Sequence, residues 1–140
     1  MAIETRGLGC TLRGVRSLLA LAAACGFTAV ALGAFGAHAL RQRFEGTLDG
    51  ARRLDWWHTA ASYHLAHALA LAIAALVVPR VSSSAPVIAA WAFFVGIVLF
   101  SGSLYAMSLS GVRALGAVTP FGGLAFLVGW AALVWAALKA

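Results

Sequence analysis

Four apolar runs fill most of this chain, at roughly residues 17–40, 56–78, 85–108 and 119–138, each close to the ~20 residues a helix needs to cross hydrocarbon. The polar residues that interrupt them fall near the same two turnarounds. The segments left over are too short to form a soluble domain, so whatever the chain does is expected to happen within or against a membrane. Hydrophobic residues make up 63% of the 140 positions and charged residues only 10%, far from the balance of a soluble globular domain. A formal charge of +6 would point to nucleic acid in a soluble protein. Here the arginines sit where helices end, and there they anchor ends and set topology. Neither an unbroken basic arm nor an alternation of basic and stacking aromatic residues is present, so nucleic acid is not an expected partner. The lipid bilayer is.

The fold class that follows is an all-α membrane protein, with a short basic tail over 1–16 and a four-helix transmembrane domain over 17–138. Its loops are short, which forces antiparallel neighbours and an up-down-up-down bundle. The spacing predicts a first helix starting after Arg16 and a charged loop from Arg41 to Leu54. A second helix follows with Asp55 as N-cap and with Trp56 and Trp57 at interfacial level. Pro79-Arg80 ends that helix, Pro86 suits the first turn of the third, and Thr119-Pro120 reads as cap and first helical position of the fourth.

Arg6, Arg13 and Arg16 ahead of Ser17-Leu18-Leu19 look like the start of a signal peptide, and Ala22-Ala23-Ala24-Cys25 resembles a lipoprotein cleavage site. The apolar run does not stop there. It continues to Leu40, the length of a span, so a retained first helix is expected. Cys25 would lie roughly 13 Å deep in that helix, out of reach of Cys10 in the tail, and a disulfide between them is not expected. Counting Lys and Arg leaves orientation tied. Arg6, Arg13, Arg16, Arg80 and Lys139 lie on the side of the termini, and Arg41, Arg43, Arg52, Arg53 and Arg113 on the other. Both termini are assigned to the cytoplasm.

Small residues mark faces where helix backbones approach closely, which is how helices associate when lipid removes the hydrophobic incentive. On the first helix they are Gly26, Ala29, Gly33, Gly36 and Ala37. The third offers Ala89, Gly96, Gly102 and Ser103, and the fourth Gly122, Gly123, Ala125, Gly129 and Ala132. Packing within the bundle is the first reading of these stripes and self-association the second.

If the helices alternate in direction, nearly every unusual polar residue belongs to one membrane half. His38 ends the first helix; Thr59, Tyr63 and His67 form an i+4 stripe on the second; Ser101, Ser103 and Tyr105 lie on the third and Thr119 at the start of the fourth. His67 is about 16 to 18 Å from the helix mouth, near mid-bilayer, where an ionisable group is a functional hypothesis by default. His64 is turned about 60° from it, and His58 points the opposite way beside Asp55. Three readings compete. The first is a neutral hydrogen-bond lattice of His67, Tyr63, Ser101 and Ser103 that fixes helix register. The second is a polar cavity for a proton or small solute. Third is metal or haem ligation by His67 with His64 or His38, for which a full ligand set is hard to assemble because no carboxylate lies within any span. No metal or cofactor is therefore assigned. A nucleophile-and-base geometry is also missing, since no carboxylate orients a histidine beside Ser101 or Ser103, and an enzyme is not expected.

Gly33-Ala34-Phe35-Gly36-Ala37-His38, the segment from Trp57 to His67, Phe100-Ser101-Gly102-Ser103-Leu104-Tyr105, and Thr119-Pro120-x-Gly122-Gly123-x-x-Phe126-Leu127-x-Gly129-Trp130 together resemble the YgdD-like small membrane proteins. This is domain-of-unknown-function family 423, relatives of transmembrane protein 256. The resemblance spans all four helices with its motifs in order. It implies a multi-span inner-membrane protein, in a bacterial plasma membrane given the arginine- and alanine-rich, lysine-poor usage, and brings no assigned activity. The family pattern matches His38, Tyr63 and His67, whereas His64 and His58 look like positions where other residues are usual. The expected function is a non-enzymatic accessory or scaffold protein, within a larger membrane complex or self-associated. The rival is a minimal small-solute or proton carrier working through the polar half.

Overall fold

The computed structural model describes residues 2–139, with side chains from residue 12 onward. Among them there is no strand. The first helix runs Ala2–Phe35, passes through a π turn at Gly36–Leu40 and finishes at Arg41–Phe44. The second is Gly50–Val77, closed by a 3-10 turn at Val78–Arg80. The third combines Ala85–Gly96, a second π turn at Ile97–Ser101, and Gly102–Ser110. A 3-10 turn at Arg113–Ala117 then leads into the fourth, Thr119–Leu138. All four are long and apolar enough to cross a membrane.

Helix boundaries follow local chemistry, with three departures from expectation. Pro86 and Pro120 occupy first turns, where a missing N–H costs nothing. Gly111, at φ +75°, ends the third helix in the left-handed conformation, and its N–H bonds the Met107 carbonyl at 2.8 Å. The first helix, however, is helical from Ala2 rather than beginning after Arg16. No proline interrupts residues 2–16. The second begins at Gly50, so the loop contracts to 45–49 and Asp55 lies inside the helix instead of capping it. Nothing in Gly50-Ala51-Arg52-Arg53-Leu54 opposes helix, and polarity alone does not end one. Thr119 is likewise not a cap. Val118 holds that position, and the Thr119 hydroxyl turns to the third helix.

The principal contacts join first helix to second, second to third and third to fourth. The second and third are central and the more buried, while the first and fourth flank them. One core cluster carries Leu18, Ala22 and Cys25 from the first helix, Ala68, Leu71, Ala74 and Ala75 from the second, Ala89, Phe93 and Ile97 from the third, and Phe126 from the fourth. Cys25 is buried and free, and Cys10 lies outside the described side chains.

Trp57 anchors the first helix to the second. Assigned by its sequence position to the membrane interface, it is in fact 2% exposed, packed with Leu40 and Phe44. Its Nε1–H donates to the Leu32 carbonyl at 2.8 Å, and its ring lies against Gly36, where a Cβ would collide with the indole. An indole this deep needs a partner for its N–H, and the neighbouring backbone supplies one.

The third and fourth helices interlock ring into glycine. Phe93 lies on Gly129, Phe126 on Gly96, and Gly122 sits against the Phe100 backbone. One turn on, the Ser103 and Thr119 hydroxyls meet at 2.8 Å. Each step of three or four residues up one helix is matched by the same step down the other, the spacing of a knobs-into-holes seam. At the end of this pair Arg53 reaches across from the second helix. Its Nε and Nη2 donate to the Ser108 and Leu109 carbonyls, both at 2.6 Å, while Ser108 Oγ returns a bond to the Arg53 carbonyl at 2.7 Å. Carbonyls left over at a helix end are thereby satisfied.

Candidate functional site

His67 lies among aromatic rings at the middle of the second helix, 7% exposed. Phe126 stacks on the imidazole at a centroid distance of 3.5 Å and 11° between planes, with Tyr63 at 5.8 Å and Phe93 at 5.7 Å. Nδ1 contacts the Tyr63 carbonyl, one turn back, at 2.8 Å. Nε2 accepts from the Trp130 indole N–H at 3.4 Å. A carbonyl can only accept and an indole N–H can only donate, so the neutral tautomer carrying its proton on Nδ1 satisfies both contacts. Tyr63 stacks on Phe100 at 4.5 Å, and together these rings line an open, almost wholly apolar groove of about 690 Å³ with Pro120, Leu127 and Trp130.

The hydrogen-bond lattice expected of His67, Tyr63, Ser101 and Ser103 is not what forms. Ser103 Oγ donates to the Phe100 carbonyl at 2.9 Å and pairs with Thr119, away from His67. Ser101 Oγ is fully buried without a partner, and so are the Tyr105 hydroxyl and Nδ1 of His64. The polar set therefore divides into three: His67 among its aromatic neighbours, the Ser103–Thr119 bridge, and the unpartnered group of His64, Ser101 and Tyr105. A fourth unpartnered atom, the Ser83 hydroxyl, belongs to the turn between the second and third helices.

His38 and Thr59 join none of these, since both are exposed. Gly36 and Leu40 take the inward positions of the first π turn, which leaves His38 outside. Thr59 fails for a geometric reason. The i+4 stripe drifts about 40° per step, so two steps carry it from the outer surface at Thr59, through half-exposed Tyr63, to the interior at His67. His58 is exposed too, in a shallow depression of about 380 Å³ with Asp55 and Arg41. Among the described residues no three of His, Cys, Asp and Glu are grouped as a metal site would require.

The eight glycines assigned to close packing also divide. Gly36, Gly96, Gly122 and Gly129 leave no room for a side chain, while Gly26, Gly33 and Gly102 face open space and Gly123 meets only the Phe100 ring at 3.9 Å. In an apolar helix every face reads alike, so small residues alone do not distinguish a packed stripe from a lipid-facing one. Sequence reasoning also missed Trp130 as the His67 partner and His64 as a buried group. The signal available for the seam was the reversed order of Phe and Gly at spacings of three and four in the last two helices.

Residues 32–123 match the family described as Protein of unknown function (DUF423). The chain is 47% identical over 112 residues to the UPF0382 membrane protein YwdK of Bacillus subtilis, covering 79% of this chain and 87% of that one. It is 40% identical over 130 residues to the UPF0382 inner membrane protein YgdD of Escherichia coli, covering 89% and 91%. A UPF0382 membrane protein of Staphylococcus haemolyticus is 38% identical over 125 residues, covering 89% and 98%. No solved structure matches.

Proposed function

The chain belongs to the DUF423 family of multi-pass membrane proteins, and on that premise we propose that it is a non-enzymatic accessory or scaffold protein of the bacterial inner membrane. The observation that carries this reading is the state of His67. Both ring nitrogens are engaged and Phe126 stacks on a face of the ring, so the one mid-span group of the expected stripe offers no free base or ligand atom. Chemistry on a substrate needs such an atom within hydrogen-bond reach. The flanking first and fourth helices instead present broad apolar faces, with Phe27 77% and Trp135 57% exposed, to lipid or to another membrane protein, including a second copy of this chain.

In this reading the chain crosses the bilayer up-down-up-down with both termini in the cytoplasm. A reporter fused after Lys139 tests that, and periplasmic activity would reverse it. The second reading, a minimal proton or small-solute carrier, is favoured by one observation, the unpartnered buried atoms of His64, Ser101 and Tyr105. Liposomes containing a pH-sensitive dye separate the two. The accessory reading expects wild type and His67→Leu alike to leave an imposed proton gradient as protein-free liposomes do. A protein-dependent leak that Ser101→Ala or Tyr105→Phe abolishes would establish the carrier.

A further inference from the structure

We propose that the interface of the second and third helices holds a small cluster of ordered water, bound by His64, Ser101 and Tyr105. Three buried polar atoms there lack partners: His64 Nδ1, Ser101 Oγ and Tyr105 Oη. They belong together in space. Tyr63 stacks on Phe100 at 4.5 Å, which brings the next residue of each helix, His64 and Ser101, to within a turn of each other in level. Tyr105 stands one turn along from Ser101, and its ring meets the His64 ring edge-on at 6.2 Å. His64 is 6% exposed and Ser101 0%.

Each of the three lacks a local solution that its neighbours use. Thr28, Ser103 and Ser110 bond a carbonyl three or four residues back along their own helix. Ser101 closes the π turn Ile97–Ser101, whose widened backbone turns those carbonyls to other partners. His67 gives its Nδ1 to the carbonyl one turn back, and His64 does not. The Tyr105 hydroxyl stands at the end of a rigid ring, out of reach of its own backbone. Buried polar groups in native proteins are bonded to protein or to ordered water, and a polar site with several partners is where water is retained.

The donor set selects the guest. Two hydroxyls and a neutral imidazole both give and accept hydrogen bonds but carry no charge, which matches water and offers neither the carboxylates a cation needs nor the fixed positive charge an anion needs. Apolar and aromatic groups flank the site. Trp57, 2% exposed, covers the Tyr105 ring at 4.5 Å, and Ala60 is fully buried. This inference is independent of the accessory reading, since a buried water site needs no path across the membrane.

Magnetisation transfer from water to histidine side chains, measured by solid-state NMR on the full chain in lipid bilayers, tests it, with His67 on the same helix, whose two ring nitrogens are bonded within the protein, as the comparison. The His64 ring is expected to receive magnetisation several-fold faster than the His67 ring. Replacing Ser101→Ala and Tyr105→Phe together should bring His64 down to the His67 rate. Equal rates for the two rings in wild type overturn the proposal, with no variant needed, and so does fast transfer to His64 that survives the double replacement.

Discussion

Gly122→Ala should destabilise the bundle far more than Gly33→Ala, although the two changes are chemically identical. A Cβ at Gly122 would lie 2.7 Å from both Cα and Cβ of Phe100, and nearer still to its backbone nitrogen. Carbon atoms pack at about 3.5–4.0 Å, so the third and fourth helices must part by roughly 1 Å at this point. Backbone cannot rotate away as a side chain can. Parting of that size stretches the 2.8 Å Ser103–Thr119 bond beyond hydrogen-bond range and lifts Phe126 off Gly96 and Phe93 off Gly129. Overpacking of this kind costs about 1–3 kcal/mol and the lost membrane hydrogen bond ~0.6 kcal/mol, offset in part by up to ~1 kcal/mol of gained helix propensity. The net expectation is a loss of about 1–3 kcal/mol. At Gly33 nothing lies within 4 Å of the added methyl, so only the propensity gain remains, and stability should hold or rise by up to ~1 kcal/mol. Reversible unfolding in mixed micelles, followed by tryptophan fluorescence, measures both. Equal stabilities for the two variants would refute the close approach at Gly122.

His67→Leu removes two hydrogen bonds worth ~0.6 kcal/mol each in a membrane and keeps an apolar side chain against the Phe126 ring; stability to thermal unfolding should fall by about 1 kcal/mol with the helical circular dichroism unchanged. Loss of helical signal would contradict this account of the His67 packing. Arg53→Lys replaces a two-pronged donor with a point charge and leaves one of the Ser108 and Leu109 carbonyls unbonded. Amide exchange should accelerate over residues 108–118 while the helix centres keep their protection, and uniform protection would count against the clamp. A double-mutant cycle on Ser103→Ala and Thr119→Val should return a coupling of ~0.6 kcal/mol, and zero coupling would remove the bridge.

The helices were legible because a span requires length and apolarity, and both are read directly from composition along the chain. Their inward faces were not. Amphipathic patterning separates core from water, but here lipid and core are equally apolar, so Thr59 and His67 looked equivalent although one is exposed and the other buried. The two π turns added a second error by widening the helix at His38 and Ser101, and nothing in Gly36-Ala37-His38-Ala39-Leu40 or Ile97-Val98-Leu99-Phe100-Ser101 announces a π turn. Trp57 was assigned to the interface because indole prefers that level, but Gly36 opposite it opens a slot that only the folded pair of helices reveals.

The ring-into-glycine seam between the third and fourth helices restricts how these two helices can change over time. A side chain gained at Gly96 has to be answered at Phe126, and one gained at Gly129 at Phe93, because each ring occupies the space the other position gives up. Sliding the pair by one turn offers no escape. It would set Phe126 against Phe93 or Phe100 and leave glycine facing glycine elsewhere. Substitution along this seam is therefore expected to proceed by compensating pairs, one member on each helix, while Gly26 and Gly33 on the first helix vary one at a time.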